Sequence, residues 1–405
     1  MTDDNIDGSG RRSFLKGVAT AAGSLSVAGV TTGHPEGTPG ADAQRALVGM
    51  ADDAAVSTAT TNLEDAATDR KFTIERENPK VGYMAVEFEG QFAEMEDRIS
   101  DQGGLTYCEA DVDHELYAFS PNDDDYPEQY APQQVRAPQA WETELGEDYV
   151  DLAVVDQGTD YEHTDLQSRF GENKGTDEVW FFKDDPSPIF DGTENHGTHV
   201  SGIASASTNN GVGVAGISNS RLLSVRALTT IGSGSTASIA DGIQYAADQG
   251  ADIINLSLGA GERTQTMEDA IDYATENGSL PIAAAGNNGE EGVSYPARFE
   301  EVVAVGAVDD NENLTDFSQY GRYLDVVAPG KSIRSTFPGD DYGVLSGTSM
   351  ACPAAAGVAA LGLAANPYLS VPELRALLKE SCRDIGLNWK EQGKGHVDAQ
   401  NIVEA

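Results

Sequence analysis

From about residue 141 onward the chain alternates between short apolar runs and longer runs with helical spacing. The apolar runs are "VDLAVVD", "RLLSVRAL", "ADIINLSLG", "SLPIAAAGN", "EVVAVGAV" and "YLDVVAPG", and several close on glycine or a polar residue. Between them, "STASIADGIQYAADQG" and "ERTQTMEDAIDYATENG" read as helices. Unbroken apolar runs mark strands buried on both faces, so this alternation predicts an α/β fold: a mostly parallel sheet flanked by helices. Sites in such sheets form at the carboxyl ends of the strands. One further run, "GTSMACPAAAGVAAL" (Gly347 to Leu361), has almost no polar face. A helix apolar all round is enclosed by protein, so a serine at its head is held still and can be aimed.

Upstream the pattern changes. Residues 71–121 carry short alternating strands around a helix-like stretch at 92–103, which predicts a small α+β unit. The polar, proline-containing passage "NDDDYPEQYAPQQVRAPQAW" suits a domain junction, and the larger α/β domain is expected at 122–405. Residues 41–70, rich in Ala, Thr, Gly and Asp, read as linker, and 1–40 as a targeting region rather than fold. In that region "RRSFLK" (Arg11 to Lys16) precedes a mildly apolar Gly/Ala stretch too short for a membrane span, and it resembles the twin-arginine export signal. The expected partner is therefore the twin-arginine translocase, and the expected destination is outside the cell.

Charge changes the picture of the surface. The 405 residues hold 67 Asp and Glu against 25 Lys and Arg, a formal net charge of -42. That disfavours nucleic-acid binding through a basic face. Spread along the chain rather than gathered in a tail, it suits a surface built for very high salt. Self-repulsion is tolerable there, since the Debye length shrinks to about 3 Å near molar ionic strength. Three cysteines (Cys108, Cys352 and Cys382) form neither a disulfide framework nor a zinc-spaced cluster. A Cys352–Cys382 bridge is one reading; two buried thiols is the preferred one.

Activating a serine hydroxyl takes a base, an acid to orient it, and donors for the developing oxyanion. Asp156 ends the strand "VDLAVVD", His196 opens "HGTHVSGIASAS", Asn287 ends "SLPIAAAGN", and Ser349 opens the apolar helix. Each alone reads as a cap or turn residue. Together, the blocks "AVVDQGTDYEHTDL", "NHGTHVSGIA", "AAAGNNG" and "SGTSMACP" resemble the subtilisin-like serine proteases, the subtilases, over about 121–400. The order Asp, His, Ser is read by likeness to that family.

The resemblance implies a subtilisin-like three-layer fold and a serine endopeptidase. Ser349 would be the nucleophile, His196 the general base, Asp156 its orienting acid, and Asn287 an oxyanion donor. It implies protein and peptide substrates bound as an extended strand between Ile231, Gly232, Ser233 and Gly234 on one side and Ser257, Leu258 and Gly259 on the other. By likeness to thermitase it implies one calcium site using Asp123, Asp165 and Asn210, with carbonyls from Ser207, Val212 and Val214. The unit at 71–121 resembles the subtilase propeptide, an intramolecular chaperone and inhibitor, with maturation between Phe119 and Tyr126.

The acidic, exported relatives are the halolysins, so the expectation is a secreted, salt-adapted, monomeric protease made as an inactive precursor and not integral to the membrane. Gln157 and Ala354 stand where Thr or Ser, and His, are usual, and the sequence stops after the catalytic domain where many halolysins continue. Two other readings compete. One is a subtilase-fold binding protein without activity; the other is an esterase, although the Gly-x-Ser-x-Gly elbow does not surround Ser349.

Overall fold

The computed structural model describes residues 43–50, 72–89, 105–111, 119–179, 185–188 and 192–405. It divides into two compact units with the break between Leu116 and Tyr117. The expected export signal at 1–40 and the helix at 92–103 lie outside the described residues.

In the first unit, β1 (Ala43–Met50), β2 (Phe72–Asn78), β3 (Tyr83–Glu89) and β4 (Leu105–Ala110) make one antiparallel sheet in the order β2-β3-β1-β4. This corrects the linker reading of 41–70 at residues 43–50, where β1 is an inner strand paired on both sides; residues 51–70 lie outside the described residues. Its residues Ala46, Val48 and Met50 are buried with Met84, Val86 and Phe88, the period-2 face of two adjacent strands. The alternation is there in "AQRALVGM", but it sits inside an Ala- and Thr-rich stretch that masks it.

The second unit holds a seven-stranded sheet, parallel throughout. It is built from β5 (Asp151–Asp156), β6 (Phe170–Asp177), β7 (Arg221–Arg226), β8 (Ile253–Leu256), β9 (Leu280–Ala284), β10 (Val303–Val308) and β11 (Val326–Pro329). The order is β11-β10-β9-β8-β5-β7-β6. From β5 the chain builds first to one side and then to the other, so the carboxyl end of β5 lies at the switch point where such sheets bind ligands.

The residues of β5 divide between two cores. Leu152 and Val154 pack with the helices α1 (His196–Ser205) and α4 (Thr348–Ala365). Ala153 and Val155 pack on the other face with α2 (Thr236–Asp248) and α3 (Gln265–Glu276). This two-sided burial is why the strand reads as an unbroken apolar run.

Among the described residues, α4 is the one helix long and apolar enough to cross a membrane, yet 89% of its apolar window is buried in protein. It is a core helix. The hairpin of β12 (Ile333–Phe337) and β13 (Asp341–Leu345) delivers the chain to its N-terminus. The helices α2 and α3 are capped by their own Ser235 and Thr264 side chains, whereas neither α1 nor α4 receives a bond from its N-cap side chain. Both uncapped heads face the same cleft.

Candidate active site

Asp156 is the last residue of β5 and is fully buried. His196 is the first residue of α1, and its Nδ1 lies 2.8 Å from Asp156 Oδ1 and 2.9 Å from Oδ2. Two glycines permit the approach. A Cβ on Gly197 would fall 2.3 Å from the Gly158 carbonyl oxygen, and Gly158 itself sits at φ +91°. The start of α1 therefore rests directly on the backbone that follows Asp156. Burial alone would lower the His196 pKa, but the charge of Asp156 and its hydrogen bond outweigh it, and the net shift is upward. His199, one turn on, meets no carboxylate. Its Nε2 pairs with the Ile333 carbonyl at 2.9 Å, and burial pushes it down to about 3.

Ser349 is the second residue of α4. Pro353, inside the helix, has no N–H to give the Ser349 carbonyl four residues earlier. The hydroxyl of Ser257 fills that gap, donating to the Ser349 carbonyl at 2.8 Å. In return Ser349 Oγ donates to the Ser257 carbonyl at 3.1 Å. Asn255, on β8, donates to Ser257 Oγ at 3.0 Å and steadies the clamp. No hydrogen bond joins Ser349 to His196 among the described residues; in substrate-free sites such contacts often tighten only on binding.

Asn287 follows β9. Its Oδ1 accepts from Thr348 N–H at 2.8 Å and from Thr348 Oγ1 at 2.9 Å. With its oxygen committed, the side chain has its NH₂ left to offer beside Ser349.

Two clefts meet at Ser349. The larger, about 830 Å³, is lined by His196, by Ile231 to Gly234, by Ser257 to Gly259 and by Ser349. The structure thus gathers both segments expected from the sequence to hold an extended peptide, and leaves Ile231 87% exposed at the rim. The smaller, about 380 Å³, includes Asn287, Glu290, Glu291, Arg298 and Ser349. Glu291 is paired there with Lys390 at 2.5 Å.

The residues expected to hold calcium also come together. Asp123 and Asp165 are buried, and the loop after α1 wraps their carboxylates. Asn209 and Asn210 N–H groups donate to Asp123 at 2.8 and 3.2 Å. Asn210 Nδ2 and Val214 N–H donate to Asp165 at 2.8 and 2.9 Å, while Val212 N–H donates to Asn210 Oδ1 and Ser207 N–H to the Asp165 carbonyl. Neither carboxylate has an ion pair among the described residues, and no group of three or more His, Cys, Asp or Glu there could hold a metal. Burial pushes Asp165 up to about 7, and the Asp123 charge adds to it. Two buried carboxylates sharing a loop without a cationic partner among the described residues leave negative charge that a hard cation would balance, while the loop groups that face them here are N–H donors.

All three cysteines are free thiols. Cys352 is buried in α4, while Cys382 is only partly enclosed. Two features were not legible as functional from the sequence. Gln157 bridges several parts of the site, and the signal was its departure from the usual Thr or Ser. Arg226, 1% exposed at the end of β7, binds Asp177 at 2.7 Å and Glu194 at 2.8 Å. An arginine inside the apolar run "RLLSVRAL" was the clue, since a buried cation needs buried partners.

A carboxylate, an imidazole and the hydroxyl at a buried helix head, set around one cleft at the carboxyl end of a parallel sheet, is the layout of a serine hydrolase. Residues 148–399 match the profile of the subtilase family of peptidases, and the chain belongs to that family of serine endopeptidases. It is 46% identical over 404 residues to halolysin of Haloferax mediterranei, covering 97% of this chain and 76% of that one. It is 42% identical over 411 residues to a halolysin-like extracellular serine protease of Natrialba magadii, covering all of this chain and 75% of that one. A solved structure of proteases from Pseudoalteromonas arctica superposes with a TM-score of 0.63 at 33% identity, covering 70% of this chain and 98% of that one.

Proposed function

We propose that this chain is a secreted, salt-adapted endopeptidase that cleaves peptide bonds through Asp156, His196 and Ser349 and is made as an autoprocessed precursor. The observation that carries it is the Nδ1 of His196 held between both oxygens of Asp156, on the same cleft as Ser349.

In this reading an extended peptide lies between the segments 231–234 and 257–259 and competes for the Ser257 carbonyl that now holds the Ser349 hydroxyl. The freed hydroxyl turns to His196 Nε2, gives up its proton and attacks the scissile carbonyl. Asp156 keeps the imidazole in the tautomer with Nε2 open and stabilises the cation that forms. The oxyanion takes donors from Asn287 Nδ2 and the Ser349 N–H, in the favourable field at the head of α4. His196 then returns its proton to the leaving amine, and water completes the cycle by the same route.

Calcium would be held by Asp123, Asp165 and Asn210 with carbonyls of Ser207, Val212 and Val214. When bound it would neutralise two buried carboxylates and stiffen the loop after α1, with no part in bond breaking. The acidic surface suits high salt, the first unit suits a propeptide that inhibits the enzyme until cleaved, and the "RRSFLK" block suits twin-arginine export.

Peptide-amide hydrolysis by refolded precursor, in near-saturating and in dilute salt, tests the reading beside Ser349→Ala. Activity in high salt that vanishes in the variant is expected. A processed wild-type protein inactive in every salt would leave a binding role instead.

A further inference from the structure

Gln157 follows Asp156 and is 3% exposed, yet it lines the larger cleft. Its groups are spent on three different parts of the site. The backbone N–H donates to Asp156 Oδ1 at 2.7 Å. The side-chain Oε1 accepts the backbone N–H of His196 at 3.3 Å. The side-chain Nε2 donates to the carbonyls of Thr229 at 3.0 Å and Thr230 at 3.2 Å, at the root of the segment 231–234.

Each contact meets a local need. The first N–H groups of a helix have no partner inside it, and Asn195 supplies no side-chain cap to α1. Gln157 takes the place of that cap from outside the helix. The loop at 229–234 closes on itself through Thr229 N–H to the Ser233 carbonyl at 2.9 Å and Gly232 N–H to the Thr229 carbonyl at 2.8 Å. The Gln157 amide then ties the base of that turn to the head of α1. The two ends of the amide are not interchangeable: reversed, NH₂ would face an N–H, and oxygen would face two carbonyls. A serine or threonine hydroxyl is too short to span both partners. The residue is also held from behind, because its carbonyl accepts Arg226 Nε at 3.2 Å, and that guanidinium is locked by Asp177 and Glu194.

We infer that Gln157 is a positioning residue that couples the substrate-edge segment 231–234 to the helix head carrying His196, so that a peptide long enough to lie along that segment is cleaved faster than one that is not. The inference rests on the protease reading above. A peptide pairing with the exposed edge at Ile231 orders the turn, and the Gln157 amide transmits that order to the backbone that sets the imidazole. A substrate confined to the vicinity of Ser349 gains nothing from the link.

The test compares wild type with Gln157→Glu and Gln157→Thr on a long peptide amide and on a single-residue ester, with active enzyme counted by a serine-directed burst titrant at a pH on the activity plateau. The glutamate is isosteric and can still accept the His196 N–H, but it sets an oxygen against the Thr229 and Thr230 carbonyls. The threonine is the residue type usual in the family at this position. Both variants are expected to lose about tenfold in kcat/KM on the long peptide, mostly in kcat because the link acts through the imidazole, the order expected when one hydrogen-bonded link is lost. On the ester the loss should be smaller by about fivefold or more, because that substrate never reaches the segment and feels only the change at the His196 N–H. Equal losses on the two substrates would mark Gln157 as merely structural, and no loss on either would remove it from the site; each overturns the inference. Wild type inactive on both substrates would overturn the protease reading itself.

Discussion

His196 and His199 lie one turn apart on the same helix, and their surroundings give them opposite chemistry. His196 is partly open to the cleft and faces a buried carboxylate, whose charge and hydrogen bond outweigh burial and hold its proton more tightly than in water. His199 is fully enclosed, faces a neutral carbonyl, and stays uncharged down to about pH 3. Residue type and element are the same in both cases. What differs is which strand end faces the ring: Asp156 from β5 for one, Ile333 from β12 for the other. In the proposed mechanism an imidazole becomes a base because a charge stands behind it, and a structural pin because none does.

Removing that charge breaks the comparison most directly. Asp156→Asn leaves the geometry near its native form but takes away the partner that fixes the His196 tautomer, and kcat should fall on the order of 10⁴-fold. Steady-state hydrolysis of a peptide amide measures it. On the other side of Ser349, Asn287→Ala leaves both imidazoles untouched and removes the proposed oxyanion donor. It should cost about 10²–10³ in kcat with KM nearly constant, which separates the base from the oxyanion contribution.

The pH profile sharpens the contrast without a mutation. Protonated His196 cannot accept the serine proton, so kcat/KM falls as pH drops through its pKa. Since Asp156 raises that pKa, the acid limb should sit above the ordinary imidazole value of about 6.5.

Structural roles give smaller effects. Ser257→Ala leaves the Ser349 carbonyl without the donor that replaces the missing Pro353 N–H, and should cost about 1–3 kcal/mol in denaturant unfolding. His199→Phe removes the bond to Ile333 and should cost a similar ~1–3 kcal/mol while leaving the acid limb in place. His199 also gives stability a sign in pH. Its folded pKa lies below its unfolded one, so the unfolded chain binds the proton first, and stability is lost as pH falls from about 6.5 toward 3.

Much of the fold was legible in the sequence because β5 and its neighbours are buried on both faces and read as unbroken apolar runs. The candidate site was legible only by likeness to the subtilases, since each of its residues alone reads as a cap or turn residue. Asp156 ends β5, Asn287 lies three residues past β9, and His196 and Ser349 stand at helix heads, each a polar residue against an apolar run. β1 was missed because its alternation is carried partly by alanine in an alanine-rich stretch. The Ser257–Ser349 clamp, the Gln157 bridge and the Arg226 cluster were out of reach for another reason. Each is defined by partners 32 to 92 residues away that only the folded chain brings within 3.3 Å.

The central claim is that Asp156 makes His196 the base for Ser349. Phosphonylation by a serine-directed fluorophosphonate, followed by peptide mass mapping and by its rate against pH, tests it in one experiment. The account predicts a single adduct on Ser349, forming at a rate that falls below a pKa above about 6.5 and is lost in Asp156→Asn. An adduct elsewhere, or labelling of Ser349 at an undiminished rate in Asp156→Asn, would contradict it.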